Sequence, residues 1–268
     1  MFFSFSRKQA LVLAGVIFLL TQLIGLYTAA SYSYYIKSGE LEPVFSNPQD
    51  AFNSIVLVFY LLIMTGVIVL VLKFKPKLIV FLEAVAIFFA SAIVFDFVFP
   101  VPFVGEILAF ILVFLKLKKK SFFYQNLAMM FAVAGAGSVI GVSLQVLPAI
   151  ILLFILSVYD FIAVFVTKHM VFMAEKLGGR TAFTAAIPCK EVNHVFQVGG
   201  GDLAMPLVLS SSLLVNLGLV PALSSVTGSL IGLLFLFYYV SRKPGRVMPA
   251  LPVVSAGACL GFFISTVL

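Results

Sequence analysis

The chain has 268 residues, 63% of them hydrophobic and 10% charged, with a mean hydropathy of +1.21. A soluble domain of this size needs about a quarter of its residues charged to cover its surface, so a water-soluble fold is excluded. The net charge of +7 sits in short clusters between apolar runs; there it sets membrane topology and implies no nucleic-acid partner.

Apolar runs near the length that suits a hydrocarbon core ~30 Å thick, with one shorter run of 13 residues, mark the candidate spans. In chain order they predict nine spans: Ala10 to Tyr32, Ala51 to Leu72, Leu78 to Phe95, Phe103 to Leu115, Phe122 to Val142, Val146 to Thr167, Val195 to Val215, Leu219 to Val240 and Pro249 to Leu268. The first follows Arg7 and Lys8 like a secretory leader, but its length and the lack of a small-residue cleavage site predict that it is retained. The Tyr32 to Tyr35 stretch reads as an interfacial aromatic belt. With nine spans the loops alternate sides, and 16 of the 17 Lys and Arg residues then fall on the side of the N-terminus, only Lys37 opposite. The positive-inside rule predicts a cytoplasmic N-terminus and an external C-terminus. The expected fold class is an all-α membrane protein. A six-helix part (1–167), a cytoplasmic loop (168–194) and a three-helix part (195–268) make up its organisation. Cys189 and Cys259 are too few for a disulfide framework.

Acids inside a bilayer are the first place to look for chemistry, because each costs at least ~2.5 kcal/mol at mid-depth unless neutralised, paired or hydrated. Glu83, Asp96 and Glu106 lie near span ends and read as interfacial. Asp160 and Asp202 do not. Asp160 precedes Lys168 by eight residues, and Asp202 follows His194 by eight on a helix running the other way; at ~1.5 Å per residue both lie about 12 Å below the cytoplasmic surface. Two carboxylates at one depth on adjacent antiparallel helices suit a proton-sharing pair, one donating while the other activates water. The same depth match suits a proton- or cation-coupled transporter or channel. Gly199, Gly200 and Gly201 loosen the helix ahead of Asp202, with Pro206 four residues on. Both readings accommodate that too.

Three short motifs, in order, separate them. Tyr159-Asp160, then Gly199-Gly200-Gly201-Asp202, then Pro249-Ala250-Leu251 resemble the Tyr-Asp, Gly-x-Gly-Asp and Pro-Ala-Leu motifs of presenilins and signal peptide peptidases. The whole chain resembles an archaeal presenilin homologue. That resemblance implies an intramembrane aspartyl protease with Asp160 and Asp202 as catalytic pair, Tyr159 and the three glycines supporting them, and the Pro-Ala-Leu segment beside the site. Pro249 and Pro252 lack amide donors and leave an extended strip able to pair with a substrate strand. Pro221-Ala222-Leu223 spells the motif too, but falls in an uncharged outer turn, whereas Pro249 lies three residues past Arg246 on the side of the acids. The cytoplasmic N-terminus and Met248-Pro249-Ala250-Leu251-Pro252 resemble presenilins. Leu203-Ala204-Met205-Pro206 resembles the peptidase branch, and Gln197-Val198 departs from the presenilin Lys-Leu. The short cytoplasmic loop implies no obligatory partner subunit.

Other chemistries fail on inventory. His169 and His194 flank the cytoplasmic loop with no His-Glu-x-x-His, and Ser210, Ser211 and Ser212 have no membrane-embedded His as base. Gly137 and Gly141 suit helix packing, and with Gly135 they have the wrong spacing for a dinucleotide fingerprint. No metal and no organic cofactor is implied. The expected partners are transmembrane-helix substrates and the lipid bilayer, a homo-oligomer being compatible, and the expected location is the cell membrane.

Overall fold

The computed structural model describes residues 5–119, 121–166, 184–188, 195–241 and 248–267. Among them are nine helices: α1 (Arg7–Ser38), α2 (Phe52–Phe74), α3 (Pro76–Val98), α4 (Val104–Lys118), α5 (Phe122–Val142), α6 (Val146–Phe165), α7 (Gly200–Asn216), α8 (Leu219–Ser241) and α9 (Leu251–Val267). Six of these helices, α1, α2, α3, α5, α6 and α8, are long and apolar enough to cross a membrane. Helix α1 starts in a capping box, Ser6 accepting from the Gln9 amide while the Gln9 side chain accepts from the Ser6 amide, and stops at Gly39, whose φ of 81° suits glycine.

The all-α expectation holds among the described residues, with one short addition. Thr184–Pro188 (β1) and Val195–Gly199 (β2) form an antiparallel hairpin, Thr184 opposite Gly199 and Pro188 opposite Val195. The seventh helix therefore begins at Gly200, not Val195. The local reason is composition: Val195, Phe196 and Val198 favour strands, and the glycines that follow make helix initiation further upstream costly. A two-stranded ribbon is marginal alone, and here α5 supports it. The Gln125 side chain donates to the Thr184 carbonyl (3.0 Å). Asn126 donates to the Ala186 carbonyl (3.1 Å) and accepts from its amide (2.8 Å). The Phe5 amide donates to the Pro188 carbonyl (3.0 Å). Residues 184, 186 and 188 thus turn one edge of β1 toward α5 and the N-terminus, and the other edge pairs with β2.

Helix α7 is the centre of the bundle. It packs on α1, α5, α6, α8 and α9, and every residue from Met205 to Leu213 is buried, the pattern of a helix enclosed all round. Close approach relies on missing side chains. A Cβ on Gly25 of α1 would stand 2.4 Å from the Leu207 side chain, and one on Gly141 of α5 would stand 2.6 Å from the Val208 carbonyl oxygen. Gly137 also lies against Leu207, so the glycines of α5 serve packing. A smaller core joins α3, α4 and α5 around Ile87, Leu112, Val113 and Ala128.

Two further boundaries move. Pro221, Ala222 and Leu223 lie inside the first turns of α8, not in a loop, because Gly218 at φ 100° makes the turn just before it. Helix α9 begins at Leu251, so Pro249 and Ala250 form its lead-in and Pro252 occupies the first turn, where a missing amide costs no helical bond.

Candidate active site

Helices α6 and α7 are antiparallel neighbours. At one end the Ser212 hydroxyl donates to the carbonyl of Leu144, just ahead of α6 (2.7 Å). At the other end Asp160 and Asp202 lie within electrostatic reach of each other. Asp160 is buried five residues before the end of α6. Asp202 is the third residue of α7, so it sits in a first helical turn and not eight residues into a span. Counting depth from His194 at helical rise assumed a helix where β2 runs extended at ~3.3 Å per residue. The two acids still share one end of the helix pair.

Each carboxylate takes one backbone amide. The Leu251 N–H donates to Asp160 Oδ2 (3.3 Å). As the first residue of α9, Leu251 carries one of the amides a helix start leaves without an internal partner, and the positive end of the helix faces the acid. The Gly199 N–H donates to Asp202 Oδ2 (3.2 Å), half of a capping box with the acid at the third helical position. Gly199 therefore has two roles, as last residue of β2 and as cap of α7. A Cβ there would stand 2.9 Å from Asp202 Oδ2, whereas one on Gly201 meets open space. Gly200 is the first helical residue between them.

Beside Asp160, Tyr159 is hydrogen-bonded to Thr65 of α2, and the Thr65 hydroxyl donates to the Leu61 carbonyl (2.8 Å). That contact aims the tyrosine ring at α2 and the carboxylate at α9. Pro249 and Leu251 are buried, Ala250 and Pro252 half-buried, and α9 packs on both α6 and α7. The other Pro-Ala-Leu copy starts α8 at the far end of α7, about 25 Å along a 17-residue helix from its first turn.

Of the acids expected at interfaces, Asp96 and Glu106 are exposed near helix ends, but Glu83 is buried and paired with Lys116 of α4. An isolated run of sequence hides such pairing, because the partner is 33 residues away. His169, His194, Lys168, Lys190 and Arg246 lie outside the described residues. Gln22, Gln125 and Asn126 escaped sequence reasoning; their signal was an amide side chain within an apolar run.

Residues 15–268 match the family model described as signal-peptide peptidase, presenilin aspartyl protease. The chain belongs to this family. No curated protein matches it. Among solved structures, a presenilin family intramembrane aspartate protease in a P2 crystal form is 27% identical, with a TM-score of 0.68 over 94% of this chain and 96% of that one. The same kind of protein in a C222 crystal form shares 24% identity and a TM-score of 0.67 over 93% and 94% of the two chains. The helices are thus arranged in a presenilin-like fold, and this member of the presenilin and signal-peptide peptidase family is a membrane-embedded aspartyl protease. The transporter or channel alternative finds no support in these matches.

Proposed function

We propose that Asp160 and Asp202 are the catalytic dyad and that the enzyme hydrolyses peptide bonds in transmembrane segments of other membrane proteins. The observation that carries this reading is the meeting of the two carboxylates at one end of α6 and α7, each with an oxygen on a backbone amide of a flanking motif. Two such acids in a low-dielectric interior do not both ionise. The ionised one takes a proton from water as its oxygen attacks the scissile carbonyl carbon. The protonated one donates to the carbonyl oxygen, and the tetrahedral diol collapses as the amine leaves with a proton. No covalent intermediate forms and no cofactor enters.

Gly199 supports the site as the amide that holds Asp202, Gly200 and Gly201 as the unbranched entry to α7, and Tyr159 as the contact that turns Asp160 toward α9. Substrate in extended form is held by Pro249, Ala250, Leu251 and Pro252. It adds to the outer edge of β2, because the outer edge of β1 is occupied by Gln125, Asn126 and Phe5. Nine spans in the cell membrane, a cytoplasmic N-terminus and an external C-terminus complete the reading, supported by the 16-to-1 charge distribution. The loop at 168–194 divides the chain into its six-helix and three-helix parts, and the protease works without an obligatory partner subunit, alone or as a homo-oligomer. Purified protein mixed with a single-span test substrate should cleave it, and Asp202→Asn should abolish cleavage. Undiminished cleavage by that variant would overturn the dyad.

A further inference from the structure

We propose that Gln22, on α1, is a positioning residue for Asp202: its side-chain amide straps the two halves of α7 together across Pro206 and so fixes the turn that carries the acid. The proposal rests on Asp202 being catalytic, and adds a residue that none of the three motifs contains.

Gln22 is the sixteenth of 32 residues in α1 and fully buried. An amide at that depth must find partners, because an unsatisfied polar group in an apolar interior is strongly disfavoured. Its Nε2 donates to the Leu203 carbonyl (2.9 Å), and its Oε1 accepts from the Ser210 hydroxyl (3.3 Å), which also contacts the Leu207 carbonyl (3.2 Å). The two anchor points bracket Pro206, which lies inside α7.

That bracketing has a physical reason. Proline has no N–H, so the Asp202 carbonyl receives no helical bond from position 206, and the ring crowds the same carbonyl. A helix is free to hinge there, and the segment on the N-terminal side of the hinge is the turn bearing Asp202. Leu203 is the next residue, so a bond to its carbonyl holds that turn at a set angle to the rest of α7. Helix α1 has no slack with which to follow a hinge movement, because Gly25, one turn after Gln22, lies directly against Leu207. A displacement of about 1 Å at a reacting group can cost about 100-fold in rate, whereas substrate contacts through β2 and the Pro249 to Pro252 strip would be untouched.

The test is steady-state cleavage of a single-span substrate by the purified full chain, with kcat and KM separated and thermal unfolding measured alongside. Wild-type against Asp202→Asn settles the reading beneath. Gln22→Met keeps the volume and removes both hydrogen bonds; kcat should fall by about 10- to 100-fold with KM within about twofold. Ser210→Ala should lower kcat by less, and the double variant should be no worse than Gln22→Met alone, since the hydroxyl acts through the amide. An unchanged kcat in Gln22→Met, or losses that multiply in the double variant, would overturn the strap. Should Gln22→Met not fold, Ser210→Ala decides, an unchanged kcat counting against the proposal. Asp202→Asn retaining activity while Gln22→Met loses it would instead remove the dyad.

Discussion

Asn126→Ala isolates what the hairpin contributes. The side chain makes two hydrogen bonds to Ala186 on β1, as donor at 3.1 Å and acceptor at 2.8 Å, and Ala186 is fully buried. Truncation leaves a buried N–H and a buried C=O without those partners, at about 1 to 3 kcal/mol each, so about 2 to 6 kcal/mol is lost from this element. The helix itself gains, alanine being the better helix former by about half a kcal/mol. A two-stranded ribbon has little stability of its own to absorb the difference, so β1 and β2 should open locally while the bundle stays folded. Gly199, at the end of β2, then ceases to hold Asp202 Oδ2, and cleavage should drop about tenfold or more. Hydrogen–deuterium exchange resolved by peptide is the assay: residues 184–188 and 195–199 should lose protection and peptides from α1, α5 and α8 should keep theirs. Unchanged protection of the hairpin together with unchanged cleavage would refute the claim that Asn126 supports it.

Asp160→Asn and Asp202→Asn should each abolish hydrolysis and leave the unfolding temperature near that of the parent, since each replaces a group whose charged form the interior disfavours; activity assays on folded protein check this. Gly25→Val should destabilise by about 1 to 3 kcal/mol, because its Cβ would fall 2.4 Å from the buried Leu207 side chain at the centre of the bundle, and an unchanged unfolding midpoint in detergent would contradict the packing. Glu83→Gln alone should destabilise by about 3 to 5 kcal/mol by leaving the Lys116 charge buried without its partner, and Glu83→Leu with Lys116→Met should restore most of it, read from denaturation midpoints. Single-cysteine accessibility labelling should place residues near Arg7 and Leu268 on opposite sides of the membrane, and both on one side would remove an odd number of spans.

What the sequence disclosed and what it concealed follow from how far each signal travels along the chain. Apolar runs are local, so Phe122 to Val142 was legible to the residue and α1 only in its middle, its ends being decided by Ser6 and Gly39. The hairpin was hidden because Val195 to Val198 reads as membrane helix by hydropathy alone, and the side chains that hold its partner strand β1, Gln125 and Asn126, are about 60 residues from β1 in sequence. The same distance problem hid the Glu83 to Lys116 pair and the link from Gln22 to Leu203. Asp160 and Asp202 were legible because charge in an apolar segment is conspicuous by itself. Their convergence at one helix-pair end followed from chain alternation, although the depth arithmetic behind it mistook five residues of strand for helix.

Helices α8 and α9 meet without side chains between them: a Cβ on Gly228 would stand 2.1 Å from the Gly257 carbonyl oxygen, and one on Gly232 would stand 2.8 Å from that of Val253. Val253 is two residues from Leu251, whose amide reaches Asp160. A methyl group added at Gly232 therefore pushes on the helix end that touches the carboxylate, although Gly232 belongs to no motif and carries no reactive atom. The genetic target for inactivation is correspondingly wider than the chemistry, and a saturation scan should show a second stripe of intolerant sites running down the seam between α8 and α9.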